Sequence, residues 1–207
     1  MLVHLIQNFQ DNNLSYRGYL SEYKEQLLPL LRQAKQIIEE QQYDLIVPFR
    51  DRKNQYLLSN NEKSNSIWLL KEGIAHLFYF QKDNCVTDHF FFPNEFICSY
   101  PSLVLNKNSQ ANIQLLTNCC GWYIDCQKLE NVKHYFPVFD ELEKKIVACY
   151  IDQMEQVETR LRILNAEEHY QYLLENHPEY ILQIPLVHIA SFLGINAGSL
   201  SRIRRKI

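Results

Sequence analysis

Among all residues of the chain, the basic residues near its end have the types and spacing best suited to binding another molecule. Residues 185–207 contain Arg202, Arg204, Arg205 and Lys206 and no carboxylate. An arginine can donate two hydrogen bonds to guanine in the major groove, and both arginine and lysine pair with DNA phosphates. Small polar residues come just before these cations. We therefore predict DNA contacts from Asn196, Ser199, Ser201, Arg202, Arg204, Arg205 and Lys206.

The segment around these residues has the pattern of a helix-turn-helix, which places its second helix in the major groove. Pro185 suits the first turn of a helix, and Gly194 suits the left-handed residue that follows the last turn. Ala190 is small where a second helix must cross closely. The positions that agree with the motif are Ile189, Ala190, Leu193, Gly194, Ile195, Leu200 and Ile203. The alternative is a helical hairpin with a solvated basic tail.

The net charge of the whole chain does not reveal this basic segment. The 207 residues carry 21 Lys and Arg against 24 Asp and Glu, a formal net charge of -3. Since four of those cations and none of the anions lie in residues 185–207, the rest of the chain has a formal charge of -7. That acidic body should repel DNA and leave the tail to approach it. The 46% apolar content indicates a globular protein of one or two domains, and its 5 glycines form no phosphate-binding loop.

The longest helix pattern precedes the basic segment, between Pro137 and Asn165. Its apolar residues are separated alternately by three and four positions, which is the seam of a coiled coil. This spacing predicts a dimerisation helix that pairs through Val147, Tyr150, Met154, Val157 and Leu161. A core-facing amphipathic helix is the alternative, because three heptads is short for a coiled coil. Asn165 and Glu168 then have the spacing of a capping box that starts the next helix.

The first two thirds of the chain combine a helix with many short strands, so we predict an α+β fold. Apolar spacing predicts a helix over residues 23–42, whereas residues 1–22 look like a loosely attached arm. Runs rich in β-branched and aromatic residues predict strands at 44–49, 56–58, 67–70, 74–80, 85–92, 112–116 and 121–124. Because no helix separates these runs, we expect an antiparallel sandwich or barrel.

The order of strand-rich region, long helix and helix-turn-helix resembles the Crp/Fnr family of bacterial transcription regulators. The similarity covers residues 25–207 and is most specific to a branch common in Bacteroidetes. The segments that carry it are IWLLKEG at 67–73, NAEEHYQYLLENHP at 165–178, IASFLGI at 189–195 and LSRIR at 200–204.

The resemblance implies a division of the chain and a set of partners. Residues 1–136 would form a cyclic-nucleotide-binding-like sensor domain, an antiparallel β-roll of the jelly-roll or double-stranded β-helix kind. Residues 137–164 would form the dimerisation helix, and residues 165–207 the helix-turn-helix domain. A homodimer would bind a palindromic site on double-stranded DNA and contact RNA polymerase. A degenerate, ligand-independent member that binds DNA constitutively or binds proteins is the alternative.

Two departures from the family pattern concern the ligand and the recognised base. Members that bind cyclic nucleotides grip the ligand with a Gly-Glu pair and a later Arg, and the corresponding residues 96–99 and 109–111 contain neither. We therefore expect no tight cAMP binding, and the effector is unknown. The candidate effector residues are Phe96, Cys98, Ser99, Tyr100 and Ser109. Gly198 also stands where members often carry a Glu that reads cytosine.

Other chemistry finds little support in the residue pattern. The six cysteines lack the spacing of a zinc site, and we expect them to be reduced, mostly buried thiols. The alternative is a redox pair formed by two of Cys119, Cys120 and Cys126. A metal-binding or enzymatic β-barrel would need clustered ligands, but His76 and His89 lie in no H-x-H pair. We predict no catalytic residues, no metal and no cofactor. Without a signal peptide or membrane span, a cytoplasmic location is expected.

Overall fold

A computed structural model describes residues 1–10, 22–82 and 84–207 of the chain. It contains helices and antiparallel strands and confirms the α+β class. The helices are α1 (Leu2–Gln10), α2 (Lys24–Gln41), α3 (Tyr100–Leu105), α4 (Cys126–Tyr135), α5 (Pro137–Ile163), α6 (Ala166–Asn176), α7 (Pro178–Ile181), α8 (Leu186–Phe192) and α9 (Ala197–Arg204). The strands are β1 (Ile46–Asp51), β2 (Tyr56–Leu58), β3 (Ser66–Glu72), β4 (Ala75–Gln81), β5 (Asn84–Phe91), β6 (Phe96–Ile97), β7 (Asn112–Leu115) and β8 (Cys119–Asp125).

The strands form two stacked antiparallel sheets with the orders β1-β8-β3-β6 and β2-β7-β4-β5. Side chains from the inner faces of both sheets share one apolar cluster that includes Leu70, Ile97, Ile113 and Leu115. All seven predicted strands are present within a few residues of their expected ends. The two-residue β6 and the six-residue α3 were not predicted, because neither is long enough for its hydrophobic pattern to repeat.

Gly121 allows the central strand β8 to fit between β1 and β3. A β-carbon at this position would lie 2.1 Å from the carbonyl oxygen of Leu69 and 3.1 Å from the Phe49 ring. Only glycine leaves room for this close backbone approach. The first sheet can therefore hold its β1-β8-β3 order, and the register between β3 and β8 shifts just beyond this residue, between Leu70 and Glu72.

Four helices cover the outer face of the first sheet. Leu69 points outward on β3 and is fully buried among residues of α1, α2, α4 and α5. The prediction of a loose N-terminal arm is wrong for residues 2–10, since Leu2, Leu5 and Ile6 of α1 are buried in this cluster. Their spacing is that of an amphipathic helix, which the sequence analysis did not recognise. Residues 11–21 of the predicted arm lie outside the described part of the chain.

The C-terminal part begins with the capping box predicted from the sequence. Asn165 Oδ1 accepts hydrogen bonds from the backbone N–H groups of Glu167 and Glu168, and Glu168 accepts from the Asn165 N–H in return. The predicted helix-turn-helix consists of α8, a turn and α9. Gly194 adopts the expected left-handed conformation, with φ of 67°. Pro185 precedes the first helical residue rather than occupying it.

A serine of the helix-turn-helix fastens α8 to the roll. The Ser191 hydroxyl donates to the Cys85 carbonyl and accepts from the Thr87 N–H, both at 3.0 Å. Both backbone groups belong to β5, which is the edge strand of the second sheet. An edge strand presents unpaired backbone groups to any neighbour, and here one side chain satisfies two of them.

We predict that Ser191→Ala lowers the free energy of unfolding by about 1–3 kcal/mol, because two backbone groups of β5 lose their partner. Ser201→Ala on α9 is the matched control, since the Ser201 side chain caps no strand, and it should change stability by less than about 0.5 kcal/mol. Urea unfolding of the three proteins measures the difference. Equal losses in both variants would contradict the role of Ser191.

Candidate nucleic-acid interface and effector pocket

The helix α9 is held at both ends and along one face, so that its other face is free. Asn196 caps the N-terminus, with its side-chain oxygen accepting from the Ser199 N–H at 2.8 Å. Leu200 is fully buried beneath the helix, against Ile189 and Ala190 of α8. This packing explains the apolar spacing seen in the sequence. It turns the polar residues of α9 toward solvent.

The four predicted cations are all exposed, with Arg202 and Arg204 on the last turn of α9 and Arg205 and Lys206 just after it. The Arg202 guanidinium donates to the Ser199 hydroxyl at 3.1 Å, and Arg205 Nε donates to the Ser201 carbonyl at 3.4 Å. Lys206 pairs with Glu167 of α6 at 2.8 Å, and both side chains are largely exposed, so the pair contributes little stability. Only Arg204 has no such contact among the described residues.

The geometry separates the predicted DNA-contacting residues into two kinds. Asn196 uses its side-chain oxygen as a helix cap, and Ser199 already accepts from Arg202. At Gly198 an added β-carbon would meet only the Asn196 side chain, at 3.3 Å. Asn196 and Ser199 thus order the helix start, while the cations furnish the charge.

A pocket of about 340 Å³ opens between the roll and α5. Ser99, Tyr100 and Ser109 of the candidate effector set line it, and the Ser109 hydroxyl donates to that of Ser99 at 3.1 Å. Phe96 and Cys98 instead line an apolar cavity of about 80 Å³ beneath α1 and α2. The candidate effector set is therefore divided between two cavities. Tyr100 lines both cavities.

Sequence reasoning missed several residues of the larger pocket because they come from distant segments. Asp88 lies on β5, and Tyr150, Ile151 and Met154 lie on α5. No arginine is among the residues described as lining this pocket, and Lys107 is its cation. Burial raises the pKa of the Asp88 carboxyl. The pocket thus offers an aromatic and hydroxyl-rich surface with one acid, rather than a phosphate clamp.

The predicted dimerisation residues of α5 are engaged within the single chain to different degrees. Val147 and Tyr150 line the apolar cavity, Met154 lines the larger pocket, and Val157 packs against the C-terminal cluster. Leu161 is 39% exposed, and Ile151, ten positions earlier on the same helix, is 50% exposed. The face available to a partner is therefore centred nearer Ile151 than the heptad pattern indicated.

The described residues offer no group of three or more His, Cys, Asp or Glu side chains that could hold a metal ion. In the same ranges, no helix combines the length and apolar character needed to cross a bilayer. Burial raises the pKa of each of the six cysteine thiols, which is the opposite of what marks a reactive thiolate.

Comparison with known proteins identifies the architecture. A scan against protein-family models and a search of curated proteins give no match. Solved structures do match. FixK2 from Bradyrhizobium japonicum is 14% identical with a TM-score of 0.66, over 78% of this chain and 84% of FixK2. A transcriptional regulator of the crp/fnr family from Eubacterium rectale is 14% identical with a TM-score of 0.63, over 84% and 82%.

The c-di-GMP responsive global regulator CLP from Xanthomonas campestris is 11% identical with a TM-score of 0.60, over 81% of this chain and 89% of CLP. The chain has the Crp/Fnr fold. This confirms the fold expected from the resemblance, including the roll and the helical C-terminal part. At such low identity the likeness concerns the fold alone.

Histidines line the contact between the roll and the C-terminal helices of this Crp/Fnr fold. His76 of β4 meets His188 of α8 with ring centroids 4.6 Å apart, and it stacks on Phe78. His177 lies after α6 and stacks on Phe92 at 4.1 Å. Sequence reasoning treated His76 and His89 as isolated. Their partners were hidden because they lie about ninety or more positions away along the chain.

Burial keeps several of these imidazoles neutral. It lowers the pKa of His76 to about 3, with the nearby His188 adding to the effect. It also lowers the pKa of His89 to about 3 and that of His177 to about 4, and in both cases the Arg160 charge contributes. In the unfolded chain these groups would titrate near 6.5.

We predict that the protein loses stability as the pH falls from 7 to 5. The three imidazoles have a lowered pKa in the native state, so the unfolded chain binds more protons below pH 6.5. Each buried histidine then costs up to about 1.4 kcal/mol per pH unit. His76→Gln should reduce this slope by about one proton. Urea unfolding at several pH values tests this, and a flat profile from pH 7 to 5 would refute it.

Proposed function

We propose that this chain is a Crp/Fnr-type transcription regulator that binds a palindromic site on double-stranded DNA as a homodimer. The proposal depends chiefly on one observation, the exposed basic face of α9 above a fully buried Leu200. A recognition helix must have such a face, since it enters the major groove while its other side packs on the preceding helix. The protein acts by binding rather than by catalysis.

Each cation of α9 has a role in this proposal. Arg202 stands on the second turn of the helix, where its guanidinium reaches base edges and discriminates guanine. Arg204, Arg205 and Lys206 follow at the end of the helix and pair with phosphates, which positions the protein without reading sequence. The Lys206–Glu167 pair opens on binding, because the lysine exchanges an exposed carboxylate for a phosphate.

The distribution of charge supports an approach to DNA through this tail. The chain outside residues 185–207 has a formal charge of -7, whereas the tail carries four cations. The electrostatic field of these cations attracts the DNA phosphates and orients the DNA as it approaches. DNA therefore meets the protein at α9 and not at the roll.

We further propose that the chain divides at residues 137 and 165 into sensor roll, dimerisation helix and DNA-binding domain. Pairing of two α5 helices would set two copies of α9 about 34–36 Å apart, one turn of B-DNA. The effector pocket beside α5 would then be covered by the partner helix. Since its lining lacks an arginine, we expect an effector other than cAMP. Contact with RNA polymerase is part of the same proposal.

Arg202→Ala should reduce the preference for a selected site over scrambled DNA by about 1–3 kcal/mol, because one bidentate base contact is lost. The matched control is Arg205→Ala, which removes a phosphate contact and should weaken both DNAs alike and lower the salt slope by about one.

The measurement is fluorescence anisotropy at several stated salt concentrations, with a site obtained by selection from random DNA. An unchanged preference in Arg202→Ala would refute its role in base recognition. Recovery of no site at all from the selection would favour the degenerate, protein-binding alternative.

Ile151→Glu should convert the dimer into a folded monomer, because it places a charge at the centre of the proposed helix pair. Ile151 is 50% exposed in the single chain, so the substitution leaves the core of each protomer intact. Val187→Glu on α8, at a 60% exposed site, is the control and should remain dimeric. Light scattering after size exclusion reports the mass. Dimers from both variants, or a monomeric parent protein, would contradict the proposed seam.

A further inference from the structure

A small cavity lies where the roll, α5 and the C-terminal helices meet. Its volume is about 50 Å³. Strand β5 and the turn after it form one wall, and α5, α6 and Phe192 of α8 form the others. The polar residues among its lining are His89, Glu95, Gln153, Arg160, His169, Tyr172 and His177. The cavity is distinct from the effector pocket and from α9.

Arg160 brings a positive charge to this cavity without a countercharge of its own. Its Nε is buried and has no hydrogen-bond partner, and no ion pair in the described part of the chain includes it. Its guanidinium carbon lies 4.7 Å from the centroid of the Tyr172 ring. The Arg160 side chain as a whole is half-buried, and its buried Nε–H lacks the hydrogen bond that normally offsets the cost of leaving water.

Three histidines surround this charge. His89, His169 and His177 come from the roll, from α6 and from the residue after α6. Burial lowers the pKa of each, and the Arg160 charge lowers it further in all three cases. The imidazoles are therefore held neutral beside an unpaired guanidinium.

The remaining polar groups complete the charge balance of the cavity. Glu95 is the carboxylate among the lining residues, and its Oε2 accepts from the Phe92 N–H at 2.9 Å. Gln153 lies two turns before Arg160 on α5, and its Oε1 is buried without a partner. Among the described lining residues, up to four positive charges thus face one carboxylate.

We propose that this cavity binds a small inorganic oxyanion of the sulfate or phosphate class. Arg160 supplies a planar fork of donors that suits two oxygens of such an anion, and the imidazoles and the Gln153 amide complete its hydrogen bonds. The space accommodates about four water molecules, which matches the four oxygens of a tetrahedral oxyanion. The site is independent of DNA binding.

Binding at this site is coupled to protons. A dianion beside the three imidazoles favours their charged forms, so it raises their pKa and draws in protons as it binds. Affinity for sulfate therefore increases as the pH falls from 7.5 to 5.5. Sulfate is the better probe, because its own charge is constant over this range. The bound anion also joins the roll to the C-terminal helices, whose residues form opposite walls.

Isothermal titration of the full-length protein with sodium sulfate, at constant ionic strength in chloride, tests the proposal without DNA. We expect saturable binding that strengthens at least threefold per pH unit between pH 7.5 and 5.5. Arg160→Gln should weaken it at least tenfold. Arg162→Gln is the matched control on the same helix, since Arg162 is exposed and paired with Glu158, and it should bind as the parent does.

Two further measurements keep the outcome decisive. In NMR spectra, sulfate should raise the pKa of His89, His169 and His177, a measurement that needs no variant that might misfold. An Arg205→Gln/Lys206→Gln double variant should retain sulfate binding. The proposal is overturned if sulfate acts no differently from chloride. It is also overturned if Arg162→Gln, or the Arg205→Gln/Lys206→Gln double variant, weakens sulfate binding as much as Arg160→Gln does.

Discussion

The contact between the roll and the C-terminal helices is the interaction on which the rest of the structure depends. Ile74, Phe90, Phe92 and Leu116 of the roll share one apolar cluster with residues of α6, α7, α8 and α9. Each such side chain contributes about 1.5–3 kcal/mol when fully buried. Because Leu200 belongs to the same cluster, the position of the recognition helix is set by packing that begins inside the roll.

That contact also buries groups that resist burial. Most of the histidines in the described chain lie along it, and Arg160 lies there without a carboxylate partner. Apolar packing and the Ser191 hydrogen bonds hold the interface closed, while the imidazoles and the guanidinium oppose closure when they are charged. On the proposals above, protons and anions would act on the same surface that orients α9, and an effector in the larger pocket would act from the other side of the roll, through α5.

Local patterns predicted most of the elements, because each element's own residues decide it. The strands follow from runs of β-branched and aromatic residues, the capping box from Asn165 and Glu168, and the turn of the helix-turn-helix from Gly194. Prediction failed where a neighbour decides the outcome. Helix α1 is ordered by burial against α2, and Phe96 and Cys98 face away from the pocket that Ser99 and Ser109 line. No local spacing contains that information.

The sequence by itself determined the fold class, the order of its parts and the basic face of α9, since periodicity and charge are properties of contiguous segments. Only the tertiary structure decided which distant side chains meet. It brought Asp88 to Tyr150 and Met154 in one pocket, His76 to His188, and Arg160 to three histidines in one cavity. The physical reason is that burial and electrostatics act through space, so groups far apart in the chain acquire their chemistry only when the fold removes the water between them.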